Sequence, residues 1–201
     1  MHHNERTLAT YETTVPRYID GSPNAVSGPV KDWVDMALTL VPENAHILEV
    51  GTALGYDADY MEARGYQVDR TDATRAFVDL QRERGHDVQL LNLLTADNLG
   101  GPYDMVHANA VLLHFTPEEL AGVLDKIALA LCGGGILTAT LKRGRGAAWS
   151  TEKLDQDRYF QYWEADDIRA LLEQKDFHII SPPDLNDQKW LRLIARKGTV
   201  K

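Results

Sequence analysis

The residues most able to do chemistry begin with a run of small side chains. Gly51-Thr52-Ala53-Leu54-Gly55 follows the apolar stretch Ala45–Val50, and Asp57 stands just beyond it. Glycine adopts positive φ and leaves no side chain where a ligand must approach; alanine is the next smallest choice. Such a loop can wrap a ligand in backbone, and it can equally be a tight turn with no ligand. A dinucleotide fingerprint, G-x-G-x-x-G, would need its third glycine where Tyr56 stands. The small residues lie instead at 51, 53 and 55. The next acid of interest is Asp72, placed at the end of the following strand. A carboxylate about twenty residues past the first glycine accepts hydrogen bonds from ribose hydroxyls. Asp69 competes for that part but falls inside the strand. The alternative role for Asp72 is to cap a helix, which Thr74 can do alone.

Further candidates occupy later loops. Asn92, in Leu91-Asn92-Leu93-Leu94, has an amide that both accepts and donates, and the segment also reads as an ordinary strand-end turn. Ala108-Asn109-Ala110-Val111-Leu112-Leu113-His114 ends on a histidine that is either a base or a structural residue. The segment Lys142-Arg143-Gly144-Arg145-Gly146 is basic, with Trp149 close behind, and Tyr162 belongs to the aromatic run 158–163. Lys142, Arg145, Trp149 and Tyr162 together suggest a cationic, aromatic-walled pocket for an anionic or carboxylate-bearing acceptor. The competing reading is a solvated charge run beside ordinary core aromatics. No His/Cys/Asp cluster has metal-ligand spacing, so no metal is expected. No G-x-S-x-G is present, and Cys132 reads as a small buried apolar residue.

These loops need elements to hold them. Hydrophobic periodicity predicts a helix around Leu8–Ile19, a second over Val30–Leu40, and a buried strand at Ala45–Val50. Helices follow at Asp57–Arg64 and Thr74–Arg84, stopped by Gly65 and Gly85. Strands are expected at Tyr66–Thr71, Val88–Leu91, Tyr103–Ala108 and Ile136–Leu141. Thr116-Pro117-Glu118-Glu119 combines a capping box with proline at the first helical position. The helix it opens should end at Cys132–Gly135. A last helix over Ala165–Gln174 and late strands at Phe177–Ile180 and Trp190–Ala195 complete the pattern. Alternating strands and helices imply an α/β, doubly wound, Rossmann-like fold. Its sheet is expected to be mostly parallel and seven-stranded, with helices on both faces. Ligands of such sheets bind outside the carboxyl ends of the strands, where all these loops lie.

Glu49-Val50-Gly51-Thr52-Ala53-Leu54-Gly55 resembles motif I of the class I S-adenosylmethionine-dependent methyltransferases, with alanine replacing the middle glycine. The resemblance covers nearly the whole chain and points to the small-molecule type. It implies S-adenosylmethionine as cofactor, with the loop backbone of Gly51, Thr52, Ala53 and Gly55 against its methionine and ribose parts. Glu49 would organise the loop and meet the cofactor's amino group, or merely cap loop N–H groups. Asp57 would lie near the methionine moiety or simply favour the helix dipole. Asp72-Ala73-Thr74 resembles the family's ribose-binding segment, and Asn92 with Leu93 stands where adenine is read. Ala108 and Asn109 would lie beneath the transferred methyl, with His114 facing the substrate. The absence of Asn/Asp-Pro-Pro-Tyr at this loop argues against methylation of exocyclic base nitrogens. Tyr11 and Tyr18 resemble the aromatic pair of an N-terminal lid, residues 1–29, ahead of one domain at residues 30–201. Their rings can favour the cationic sulfonium or just pack a flap onto the body.

Composition bounds the rest. The chain of 201 residues has a formal charge of −9, which disfavours non-specific nucleic-acid binding. Its single cysteine fits a reducing cytoplasm. No apolar run approaches the ~20 residues a bilayer span needs, and the start lacks the apolar core of a secretory signal. No repeat, linker or second domain is visible, and nothing in the sequence bears on oligomeric state. The expected activity is methyl transfer to an oxygen or nitrogen of a small molecule. A non-catalytic S-adenosylmethionine-binding subunit or regulator is the alternative.

Overall fold

The computed structural model describes residues 1–181 and 187–199. Strand β1 (His46–Val50) is central. Its Ile47, Leu48 and Val50 are apolar on both faces and fully buried, as befits a parallel strand covered by helices on both sides. It pairs in parallel with β2 (Gln67–Asp72) on one edge and β4 (Tyr103–Ala108) on the other, and β3 (Val88–Leu90) extends the sheet beyond β2. Helices α4 (Tyr56–Glu62) and α5 (Arg75–Glu83) connect these strands.

Alternation along the strands divides the core. Ile47, Met105, Ile136 and Ile194 face α3 (Gly28–Leu38), which buries Trp33, Val34, Ala37 and Leu38 against them. Leu48, Val106 and Leu137 face the other way, toward α6 (Pro117–Ala130) and α7 (Ala165–Gln174). Helix α6 opens as the sequence predicts. The Thr116 hydroxyl accepts the Glu119 N–H, and the Glu119 carboxylate accepts the Thr116 N–H.

Three expectations change. The predicted helix Leu8–Ile19 is two helices, α1 (His3–Thr13) and α2 (Val15–Asp20), broken at Thr14 ahead of Pro16. Strand β5 (Leu131–Arg143) starts where α6 ends, because Leu131 pairs with Tyr103 before regular register resumes at Met105 and Ile136. The glycines after Cys132 therefore lie within an irregular strand, and Lys142 and Arg143 belong to β5, not to a loop. Finally, β6 (Ala147–Ser150) and β7 (Arg158–Trp163) form an antiparallel pair that the sequence reading lacked. Their mixed polar and aromatic residues give no clean alternation.

Strand β9 (Trp190–Lys197) runs antiparallel to β5, with β8 (Phe177–Ser181) outside it. Lys142 pairs with Trp190 of β9 and with Tyr162 of β7. Strand β7 thus takes the edge of β5 beyond the point where β4 leaves it. That places β6 and β7 above the carboxyl ends of the central strands. Nine strands are present among the described residues. No helix among them is long and apolar enough to cross a membrane.

Candidate functional site

The loop after β1 takes a conformation that explains its small residues. Gly51, Ala53 and Gly55 have φ of 68°, 45° and 84°. Each alternate position is left-handed, which glycine adopts freely and alanine only at some cost. Space is also restricted. A Cβ at Gly51 would collide with the Val111 side chain, and one at Gly55 would meet the Gln81 and Arg70 side chains.

Polar residues hold this loop from behind. The Gln81 amide donates to Ala53 O at 2.9 Å and to the Thr52 hydroxyl at 3.2 Å. The Gln81 Oε1 accepts from Arg70 at 3.0 Å, and Arg70 pairs with Asp59 and Glu62 at 2.6 Å each. Sequence reasoning missed Gln81 and Arg70. For Gln81 the signal was a long polar side chain on the otherwise apolar inner face of α5; Arg70 lies among other polar residues of β2 and had no such signal.

Two cavities meet at the loop and share Tyr18, Val50, Gly51, Ala53 and Asn109. One holds about 690 Å³ of space, some of it open to solvent, and reaches Asp72, Ala73, Thr74, Phe77, Asn92 and Leu93. The other holds about 800 Å³ and reaches Glu49, Leu54, Tyr56, Asp57 and Lys153. Most of the predicted cofactor residues are thus brought together. Thr52, Gly55 and Ala108 support the walls without lining them.

The carboxylates differ in state. Asp72 receives the Ala53 N–H at 2.9 Å and the Thr74 N–H at 2.7 Å. Burial nevertheless pushes it up to about 6, against these hydrogen bonds. Glu49 is 3% exposed, and its Oε2 has no hydrogen-bond partner. Burial, then the nearby Asp57 charge, raises it to about 7. Burial also works to raise Asp57, but hydrogen bonds from His107 at 3.0 Å and Asn109 at 2.8 Å prevail and hold it low. His107 is braced in turn by the Thr138 hydroxyl at 2.8 Å. Glu49, Asp57 and His107 lie close enough to share an ion, as do His2, His3 and Glu119, and Asp59, Glu62 and His86. Hydrogen bonds and ion pairs within the protein already engage most of these side chains.

Helix α1 lies across the cavity that reaches Asp72 and Asn92, and its Asn4, Thr7, Leu8 and Tyr11 help line it. Its buried residues, Asn4, Thr7 and Thr10, are polar, so hydrogen bonds seat it. Asn92 donates its amide to Asn4 Oδ1 at 2.9 Å, the Tyr159 N–H donates to the Thr7 hydroxyl at 3.0 Å, and Thr10 donates to Asp157 O at 2.7 Å. The Glu12 carboxylate accepts the N–H groups of Arg75 and Ala76 at the start of α5, at 2.6 and 2.9 Å. Tyr11, Tyr18 and Phe77 form an aromatic cluster with centroids 5.1 to 6.0 Å apart.

His114 lies under this helix. Its Nδ1 sits 2.7 Å from the Tyr159 carbonyl, which can only accept, so Nδ1 carries the proton. Burial depresses its pKa to about 4, helped by the charges of Arg158 and Lys142. The ring is therefore neutral near pH 7, and its Nε2 lone pair accepts from the Tyr11 hydroxyl at 3.0 Å.

The predicted acceptor residues separate. Lys142 lies near His114, with its ammonium 4.4 Å from the Phe160 ring centroid. Arg145 points into solvent at 85% side-chain exposure and meets Glu164 at 3.7 Å. Trp149 is 41% exposed and is stacked by Arg6. Tyr162 packs on Gly144 and on the core. The reason lies in β5. Because the strand continues through Arg143, the glycine turn that carries Arg145 projects beyond the site. Arg158, buried at the start of β7, is the residue that sequence reasoning passed over.

Residues 25–182 match the family model described as a methyltransferase domain. No curated protein matches the chain with significance. Among solved structures, the magnesium protoporphyrin IX methyltransferase (ChlM) of Synechocystis PCC 6803, with bound S-adenosylmethionine, is 16% identical. The match covers 98% of each chain with a TM-score of 0.73. The 1,6-didemethyltoxoflavin-N1-methyltransferase of Burkholderia thailandensis, with bound 1,6-didemethyltoxoflavin and S-adenosylhomocysteine, is 17% identical. It covers 98% of this chain and 83% of that one, at TM-score 0.67. The [4+2]-cyclase SpnF is 16% identical over 98% of this chain and 96% of its own, at TM-score 0.73. At such identities the likenesses show the fold. With the family match spanning well over half its length, the chain belongs to the methyltransferase-domain family, on the Rossmann-like fold of the class I S-adenosylmethionine-dependent enzymes.

Proposed function

We propose that the chain transfers the methyl group of S-adenosylmethionine to an oxygen or nitrogen of a small molecule that carries an anionic group. The observation that carries this reading is the convergence of Glu49, Asp72, Asn92 and Asn109, from four separate strand ends, on one pair of joined cavities. The site fits the cofactor. The unpartnered oxygen of Glu49 needs a donor, and an ammonium group supplies one. Gly51 and Ala53 line both cavities, which opens the loop backbone to contact. Asp72 has acceptor capacity left for ribose hydroxyls after its two N–H bonds, and Asn92 and Leu93, in the same lining, would hold the adenine. The rings of Tyr11, Tyr18 and Phe77 favour a neighbouring cation.

The bound cofactor supplies an already activated methyl group. The protein's own work is to align a nucleophile and exclude water, and such positioning is worth up to about 7–11 kcal/mol. Helix α1 acts as the lid that excludes water. A carboxylate acceptor needs no base, whereas a phenol or amine can pass its proton to the Nε2 of His114.

SpnF carries a different named activity on this fold, so the fold alone does not fix the reaction. The deciding experiment is a screen of carboxylate, phenol and amine acceptors for release of S-adenosylhomocysteine. Turnover with at least one class supports methyl transfer. Tight cofactor binding with no turnover across the screen favours a non-catalytic binding subunit.

A further inference from the structure

Three cations without ion-pair partners among the described residues gather around the rings of Tyr11, Tyr18 and Phe160. Arg158 is 7% exposed, and its Nε is buried with no hydrogen-bond partner. One of its terminal nitrogens reaches the Tyr11 hydroxyl at 3.4 Å, and the other reaches the Glu152 carbonyl. Its guanidinium carbon lies 5.0 Å from the Phe160 centroid, the ring that Lys142 also approaches. Lys153 extends the group to the rim of the Glu49 cavity, over the Tyr18 ring at 3.8 Å.

Among the described residues, ion pairs engage other arginines and lysines across the molecule but none of these three. The chain has 30 acidic against 21 basic residues, yet none of the described acids forms an ion pair with these three, and Glu152 acts on Lys142 only from beyond ion-pair distance. A buried guanidinium without a counter-charge is unfavourable, and aromatic faces offset that only in part. Burial lowers the pKa of both Lys142 and Lys153; Arg158 repels each, and Glu152 works the other way on Lys142. The arrangement is costly to the free protein and becomes favourable once an anion enters.

We propose that Arg158, with Lys142 beside it, seats an oxyanion of the methyl acceptor, a carboxylate or a phosphate monoester, next to the Nε2 of His114. The inference rests on the methyl-transfer reading and moves the acceptor's anchor away from the exposed Arg145 turn. The seat lies beneath α1, so the acceptor enters with the lid displaced and is covered when it returns.

The test uses protein saturated with S-adenosylhomocysteine and matched probes: benzoate and benzamide, salicylate and salicylamide, phenylacetate and phenylacetamide, with phenyl phosphate as the phosphate arm. Binding is read by calorimetry and by the shift in Tm. At least one acid or phenyl phosphate should bind, and its neutral counterpart should not. Arg158→Met should weaken that binding by about tenfold or more, and Lys142→Met by less. Both variants should keep their response to S-adenosylhomocysteine. Ligand-free Arg158→Met should be at least as stable as the parent, which a purely structural arginine would not allow. Arg158→Lys, which keeps the charge, should restore part of the binding and carries the test if the methionine variant does not fold. Amides binding as well as acids, acid binding that survives Arg158→Met, or no binding by any anion would overturn the proposal. Phenyl phosphate alone binding identifies the oxyanion as phosphate. Failure of the parent protein to bind S-adenosylhomocysteine would instead strike the methyl-transfer reading, and this proposal with it.

Discussion

Tyr11 and His114 are 103 residues apart in the chain and meet hydroxyl to Nε2 at 3.0 Å. This contact joins the cover of the site to its candidate base. It also fixes the imidazole, since the Tyr159 carbonyl claims the other nitrogen. With the lid shut, the lone pair of His114 is satisfied by Tyr11. An acceptor hydroxyl or amine must take the place of that phenol to reach it.

His114→Ala should therefore lower turnover on a phenol or amine acceptor by about 100-fold or more, the ordinary range for a general base. Affinity for S-adenosylhomocysteine should stay within about twofold of the parent, because the adenosine-side residues are untouched. Steady-state kinetics beside calorimetry separate the two effects. An unchanged rate removes His114 from the mechanism.

Glu49 predicts opposite effects in the free and loaded protein. Burial raises its carboxyl from an ordinary 4.5 to about 7, so the folded state holds a proton that the unfolded chain releases. Stability from this group is present at low pH and is lost as pH rises through that window. At pH 8, Glu49→Gln should raise the Tm of the free protein by about 3–6 °C. The gain should vanish below the ordinary carboxylate value. A ligand ammonium reverses the sign, because it needs the ionised form. Affinity for S-adenosylhomocysteine should climb between about pH 5 and 7, by up to tenfold per unit, with a flatter profile in the variant. Equal Tm at pH 8 would show that ionising Glu49 costs the folded protein nothing, so that its carboxyl is not raised.

Glu12 holds the lid by accepting two N–H groups at the start of α5, where the helix dipole favours a carboxylate. Glu12→Ala should destabilise the closed lid by about 1 kcal/mol. Amide exchange should quicken across α1, while β1 and β4 exchange as before. Unchanged exchange in α1 would show that its threonine and asparagine contacts suffice.

The cofactor side was legible because each of its residues follows a strand whose burial makes it conspicuous. Gly51–Gly55 and Asn109 stand at the ends of largely apolar strands, Asp72 lies about twenty residues past the first glycine, and the doubly wound pattern puts those strand ends at one edge. Their supports were not legible. Arg70 and Gln81 are polar residues inside amphipathic elements, and His107 looked like any strand histidine until Asp57 and Thr138 came within reach. The acceptor side was read less well. Lys142 and Arg145 belong to one basic run, but the continuation of β5 sends one to the site and the other to solvent. Arg158 became visible only through the antiparallel pairing of β6 with β7, which no periodicity announced.

The central claim is that these strand ends form an S-adenosylmethionine site, and equilibrium titration tests it most directly. S-adenosylmethionine and S-adenosylhomocysteine should bind the parent protein with dissociation constants on the order of micromolar. Asp72→Asn should weaken both by about tenfold or more, through lost charge-assisted bonds to the ribose. Tight binding of a nicotinamide dinucleotide, with no binding of either S-adenosyl compound, would contradict the account.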